Sequence, residues 1–274
     1  MPAIAKTPDA SLLAASMLRL RQGGGTIAPL IQRRGCIESL FQSISSKGSS
    51  MGSGVNALFS APSMAIFKAL TQGPKAVEAA CSSNPASTVD MPLNKAASLL
   101  WESEPVGIGR SMVLQFTALQ LCAHADLWRE ARVLMSHGAN PNLFNAAVTA
   151  VGLAAYTGSA RTLCEMVSFG ANATLYLPPE HAPHTPSAHG STLLHRISNR
   201  PIGDNKKAVV LILAHCAASY PDPLPQTIEG KTPLDWADDD ETREALLSVV
   251  ADREASVLLS ATPRSRKATP PLRM

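Results

Sequence analysis

Aromatic side chains are scarce, making up 4% of the 274 residues. That disfavours a β-sandwich, which draws on aromatic and β-branched residues, and favours closely packed helices built from Ala, Leu, Val and Met. Charge is sparse too, at 16%, with a net charge of +3. A nucleic-acid-binding domain ordinarily carries a strong basic stripe, so no nucleic-acid partner is expected. No run of 18 apolar residues occurs, and the longest candidate, 208–218, has the length of a core helix, so no membrane span is expected. The five cysteines, Cys36, Cys81, Cys122, Cys164 and Cys216, are odd in number, far apart and form no CxxC pair. This argues against a disulfide framework or zinc site and predicts small, buried, reduced side chains.

Motifs for chemistry are missing as well. Neither GxxxxGK[ST] nor GxGxxG occurs, so no nucleotide fingerprint is present. Arg33 and Arg34 lie close enough in sequence to Cys36 to activate a thiol, but no histidine precedes His124 to serve as its base. His181, His184 and His189 could ligate a transition metal, yet they stand among Pro178, Pro179, Pro183 and Pro186 with no regular scaffold, which reads as a surface loop. No catalytic residue, metal or cofactor is assigned.

What the chain does contain is repetition. Offset by 32 positions, residues 116–143 match at Thr117/Thr149, Ala118/Ala150, Leu121/Leu153, Ala123/Ala155, Arg129/Arg161, Ser136/Ser168, Gly138/Gly170, Ala139/Ala171, Asn140/Asn172 and Leu143/Leu175. These ten identities compare with about two expected by chance. Within the units apolar residues recur at i, i+3, i+4, one face of a helix: Ala131, Leu134, Met135 and then Leu163, Met166, Val167. Gly-Ala-Asn follows each as a helix stop, and Gly158 divides a short first helix from a second. Two looser copies follow. One opens at Gly190-Ser191-Thr192-Leu193-Leu194-His195 and carries Val209, Ile212, Leu213; the other opens at Gly230-Lys231-Thr232-Pro233-Leu234-Asp235-Trp236-Ala237 and carries Leu246, Val249, Val250.

Gly-x-Thr-Pro-Leu-x-x-Ala at 230–237 resembles the opening signature of an ankyrin repeat, and Gly138-Ala139 and Gly170-Ala171 resemble its close. The likeness covers about half the chain. It implies an all-α ankyrin-repeat solenoid of about four helix-turn-helix units, which stack because none can bury its apolar face alone. There are departures. Ala118 and Gln120, then Ala150 and Gly152, stand where the family has Pro and His. The third unit closes with Cys216-Ala217, 173–189 contains an insertion, and the fourth unit has no closing Gly-Ala. Residues 91–97 are either a decayed opening motif or a plain capping helix.

The organisation expected is a Ser/Gly-rich, partly disordered leader at 1–54, a helical capping region at 55–112, repeats at 113–250, and a C-terminal cap with a disordered basic tail at 251–274. Apolar runs at 11–20, 27–44 and 55–70, and a segment from Pro74 to Cys81, suit short helices. A Ser-rich, acid-poor N-terminus resembles either an organellar leader or the export signal of a bacterial effector delivered into a host cell; an ordinary cytoplasmic protein stays open.

The resemblance implies a monomeric, non-enzymatic module binding another protein through first helices and loop tips. Mapped onto this register, the outward positions are His124, Asn145, Tyr156, Asn199, Arg200, Glu229, Lys231, Asp239 and Asp240, with Tyr156 and Arg200 as expected anchors. The acidic run Asp235, Asp238, Asp239, Asp240, Glu241 is either a solvated helix end or a site for a cation or basic partner. Two alternatives remain: an effector enzyme with catalysis in residues 1–90 and the repeats selecting its substrate, and a cytoplasmic or organellar regulatory subunit.

Overall fold

The structure is a computed structural model that describes residues 61–84, 89–90, 116–144, 148–173, 190–202, 204–217 and 224–261. All the regular elements among them are helices. In chain order these are α1 (Ala61–Gln72), α2 (Pro74–Ser82), α3 (Ala118–Ala125), α4 (Trp128–Ser136), α5 (Ala150–Tyr156), α6 (Ala160–Ser168), α7 (Leu193–Ser198), α8 (Lys206–Ala217), α9 (Pro233–Trp236) and α10 (Asp240–Ala261).

The four expected units are the pairs α3–α4, α5–α6, α7–α8 and α9–α10. First helices pack on first helices, α3 on α5 on α7 on α9, and second helices on second helices, α4 on α6 on α8 on α10. Every apolar triple read from the second helices is buried except Val250, which is half-buried. The core therefore runs the length of the stack through Leu119, Leu134, Leu163, Met166, Leu194, Ile197, Ile212 and Leu246.

Thr starts every first helix. Thr117 Oγ1 accepts the Gln120 N–H at 3.2 Å, and Thr149 Oγ1 accepts that of Gly152 at 3.0 Å. This satisfies one of the donors a helix N-terminus leaves open. The closing glycines end the second helices. Gly170 sits at φ +84, where its N–H reaches the Val167 carbonyl and that of Ala171 the Met166 carbonyl, both at 3.0 Å. Gly138 repeats the arrangement. Only a left-handed residue lets both bonds form.

Two features differ from expectation. Helices α1 and α2 form a further pair without a repeat motif, α1 packing on α3 and α2 on α4, so the stack continues N-terminally by one layer. A hydrogen bond between His137 Nε2 and the Glu78 carboxylate at 3.2 Å and the Asp90 carboxylate accepting the Asn140 N–H at 3.0 Å tie this layer to the first unit. At the other end α10 passes through residue 250 to Ala261, so the boundary drawn there falls inside one helix. Runs 11–20 and 27–44, segment 91–97, Cys36, the three clustered histidines and the tail from 262 lie outside the described residues.

Candidate functional site

Each first helix begins beside a loop tip and ends at the turn into its second helix, so the stack has a loop-tip edge and a helix-turn edge. First helices of eight, seven, six and four residues at 1.5 Å rise separate them by about 6–12 Å. The expected contact residues divide between the two. Glu229 and Lys231 are exposed at the loop-tip edge. His124, Tyr156, Asn199, Arg200, Asp239 and Asp240 follow the first helices at the turn edge. Asn145 lies outside the described residues.

At the turn edge Tyr156, the last residue of α5, is half-buried, and Arg200, just beyond α7, is exposed. The Arg200 guanidinium carbon stands 5.0 Å from the Tyr156 ring centroid, so the two expected anchors form one cation–π pair bridging units two and three. A second such arrangement lies one unit away. Trp128 opens α4, with Arg129 at 5.0 Å and Arg132 at 5.5 Å from its ring. Arg132 also makes a bidentate pair with Glu165, at 2.9 and 2.6 Å, whereas Arg129 is exposed and pairs with no carboxylate among the described residues. Trp128 and Arg129 were not singled out by sequence; a Trp at the mouth of a second helix, where unit two has Ala160, was the signal. His124 is exposed, yet its neighbours remove enough water from its ring to lower its pKa, so it is uncharged at neutral pH.

Asp239 carries structural bonds as well. Its carboxylate accepts the Thr242 N–H at 2.6 Å, capping α10, and pairs with Lys206 Nζ at 2.6 Å. Asp238 engages the same ammonium, which also donates to the Ser198 carbonyl at 3.2 Å. The Lys206 bond holds the Asp239 carboxyl well below the usual carboxylate range. Asp239 therefore joins units three and four, while its side chain stays 42% exposed. Asp235 is likewise engaged, accepting the Thr232 N–H at 2.7 Å, while Asp240 is exposed and pairs with Arg243 at 2.9 Å. The acidic run divides into capping, bridging and exposed members.

The third position of the first helix carries another inter-unit device in units one and three. In unit three, His195 Nδ1 accepts the Thr192 N–H at 3.1 Å and Nε2–H donates to the Lys231 carbonyl of unit four at 3.0 Å. In unit one, Gln120 Oε1 accepts the Thr117 N–H at 2.9 Å and its Nε2 donates to the Val148 carbonyl of unit two, also at 2.9 Å. Val148 and Lys231 hold the same place, immediately before the capping Thr, so the amide reproduces the imidazole. With that equivalence the opening motif, the closing Gly-Ala and the stacked pairs fall into a single register. This is an ankyrin-repeat fold.

No protein-family model matches the chain, and no curated protein matches it. Among solved structures the ankyrin stack is similar to the ankyrin repeat domain of Bcl-3, described as a unique member of the IkappaB protein family. That match has 17% identity and a TM-score of 0.41, covering 82% of this chain and 99% of that one. It is also similar to EF0377, an ankyrin repeat protein, at 16% identity and a TM-score of 0.34, covering 69% and 97%. The ankyrin repeat domain of human ASB11 matches at 18% and 0.25, covering 63% and 96%. Among the described residues no cluster of three or more His, Cys, Asp or Glu is arranged to hold a metal, and no helix is long and apolar enough to cross a membrane.

Proposed function

We propose that this chain is a non-enzymatic, monomeric binding module for another protein, which it contacts along the turn edge and first helices of its ankyrin stack. The supporting observation is the Tyr156–Arg200 pair. An aromatic ring and a guanidinium are held together at the surface across two units, and no carboxylate among the described residues pairs with the Arg. Tyr and Arg are the side chains that most often carry interface energy, because each combines a large contact area with directional hydrogen bonding.

The test uses tagged full-length chain, wild type and Tyr156→Ala/Arg200→Ala, each used to capture proteins from extract for quantitative mass spectrometry. The double variant loses its specific partner by about tenfold or more while far-ultraviolet circular dichroism stays unchanged. Equal capture by both forms removes this face from the proposal. Delivery into a host cell as an effector is the accompanying proposal for residues 1–54. It is tested by fusing residues 1–60 to a reporter and following export; retention of the reporter rejects it.

A further inference from the structure

The turn edge has a polarity of its own. In units one to three the turns carry aromatic or cationic residues at their flanks, Trp128 and Arg129, Tyr156, and Arg200, beside neutral ones such as Asn199. Their common placement follows from the backbone. Asp126, at φ 54, and Gly158, at φ +70, are equivalent turn residues of units one and two, and Asp126 Oδ1 accepts the Thr162 N–H across the seam at 3.2 Å. The turn of unit three meets that of unit two where Asn205 Nδ2 donates to the Gly158 carbonyl at 3.0 Å.

The acids near these residues are mostly engaged. Asp126 is buried and bonded to Thr162, and Glu165 holds Arg132. Asp204 is the exposed exception. At unit four the edge changes sign, with Asp238, Asp239 and Asp240 in succession. Arg129 and Arg200 are each fixed over a ring and pair with no carboxylate among the described residues. Two pre-positioned guanidiniums present forked donors that match a carboxylate, and their ordering cost is already met by the rings.

Resting on the binding role proposed above, we infer that the partner presents an acidic, extended segment, which lies along the turn edge of units one to three with carboxylates on Arg129 and Arg200. An extended peptide of about ten residues spans about 33 Å, enough for three units spaced about 10 Å apart. A nucleic acid fits less well, because a longer phosphate backbone would run on into the acidic fourth unit while the whole chain carries only +3.

The experiment measures anisotropy of labelled peptides of about ten residues on the full-length chain, one rich in Asp and Glu and one with Lys at the same positions, beside a single-stranded RNA. The acidic peptide binds best and weakens with added salt. Arg129→Glu/Arg200→Glu weakens it by about tenfold or more, while Lys68→Glu, at an exposed position of α1, changes it by less than about twofold. Overturning results are no binding of the acidic peptide up to about 1 mM, equal binding of the Lys peptide, tighter binding of RNA, or equal losses in the two variants. Circular dichroism identifies a double variant that has unfolded, and Arg129→Gln/Arg200→Gln then replaces it. Failure of the acidic peptide with continued loss of capture in the Tyr156→Ala/Arg200→Ala variant overturns the acidic segment and leaves the binding module standing.

Discussion

If Gln120 and His195 perform one task, each should substitute for the other. His195 is fully buried, its two ring nitrogens satisfying the Thr192 N–H and the Lys231 carbonyl. His195→Ala removes both bonds and leaves both groups without a partner. Each bond contributes about 1 kcal/mol net, and the desolvated groups left behind raise the cost to about 3 kcal/mol. Loss of the edge contact with Trp236, whose ring centroid is 5.5 Å away, adds about 0.5–1 kcal/mol. His195→Gln keeps an acceptor and a donor on a side chain that already spans this distance in unit one, so it forfeits mainly the ring contact, about 1 kcal/mol.

pH separates the two readings further. Burial pushes the His195 pKa down, with the Lys231 carbonyl and Asp235 opposing less strongly. The unfolded chain therefore takes up its proton first as pH falls through about 6.5, and stability declines below that value by at most about 1.4 kcal/mol per pH unit. His215, also lowered by burial, contributes in the same sense and persists in both variants. Urea titrations between about pH 5 and 8, read by circular dichroism and tryptophan fluorescence, give the costs. Hydrogen exchange resolves which units open, since repeat arrays need not unfold in one step. Equal destabilisation by Gln and Ala, or an unchanged pH slope in His195→Gln, refutes the equivalence.

Other expectations follow from the same geometry. Gly158→Ala costs about 2–3 kcal/mol, because a Cβ at φ +70 meets Ile202 Cγ2 at 3.1 Å, whereas Gly138→Ala, at φ +93 with nothing within 4 Å, costs only about 1; urea midpoints compare them. Lys206→Met leaves Asp238 and Asp239 without their shared cation, for about 1–2 kcal/mol once the partial hydration of both carboxylates is allowed for. The depressed Asp239 carboxyl means that this contribution is present above about pH 4 and fades as pH falls below it, a slope that Lys206→Met removes from acid-denaturation curves. Cys81, Cys122, Cys164 and Cys216 are all buried, with the Cys216 thiol pushed up to about 12 by desolvation, so a Cys36→Ser variant resists thiol-specific labelling at about pH 8 until it unfolds. Fast native labelling of that variant contradicts the packing.

The four units were legible because the two signals that define them are periodic and local. Apolar residues at i, i+3, i+4 face one way, and Thr and Gly mark helix ends by their own backbone chemistry. Helices α1 and α2 have neither Thr opening nor Gly-Ala close, so their place as a stacked layer was not readable, although the helix from Pro74 was. Buried charge was hidden as well. Lys206 occupies the position of Trp128 and Ala160, and nothing along the chain indicates that its ammonium turns inward to carboxylates about thirty residues on. The seam bonds of Asp239 were hidden for the same reason. The division of the contact residues between two edges follows from where each first helix starts and stops, which an outward-facing register does not distinguish.

The polar links across the seams are unequal, and their distribution bears on the binding face. Units one and two are joined by Gln120 to the Val148 carbonyl, Asp126 to Thr162, Arg132 to Glu165, and Asn142 accepting the Asn172 N–H at 2.7 Å. Units three and four are joined by His195 and by Lys206. Between units two and three the coupling position is Gly152, which has no side chain to give, and the buried Ser191 Oγ, one residue before the capping Thr192, has no hydrogen-bond partner among the described residues. That seam relies on Asn205 reaching the Gly158 carbonyl and on Arg200 lying over Tyr156. The Tyr156–Arg200 pair thus also spans the junction whose coupling position is a glycine. A partner seated on both residues closes that junction from outside, and binding that requires the closed junction stabilises it in proportion to occupancy. In a linear stack each layer is supported only by its neighbours, so one such contact protects the units on both sides of it.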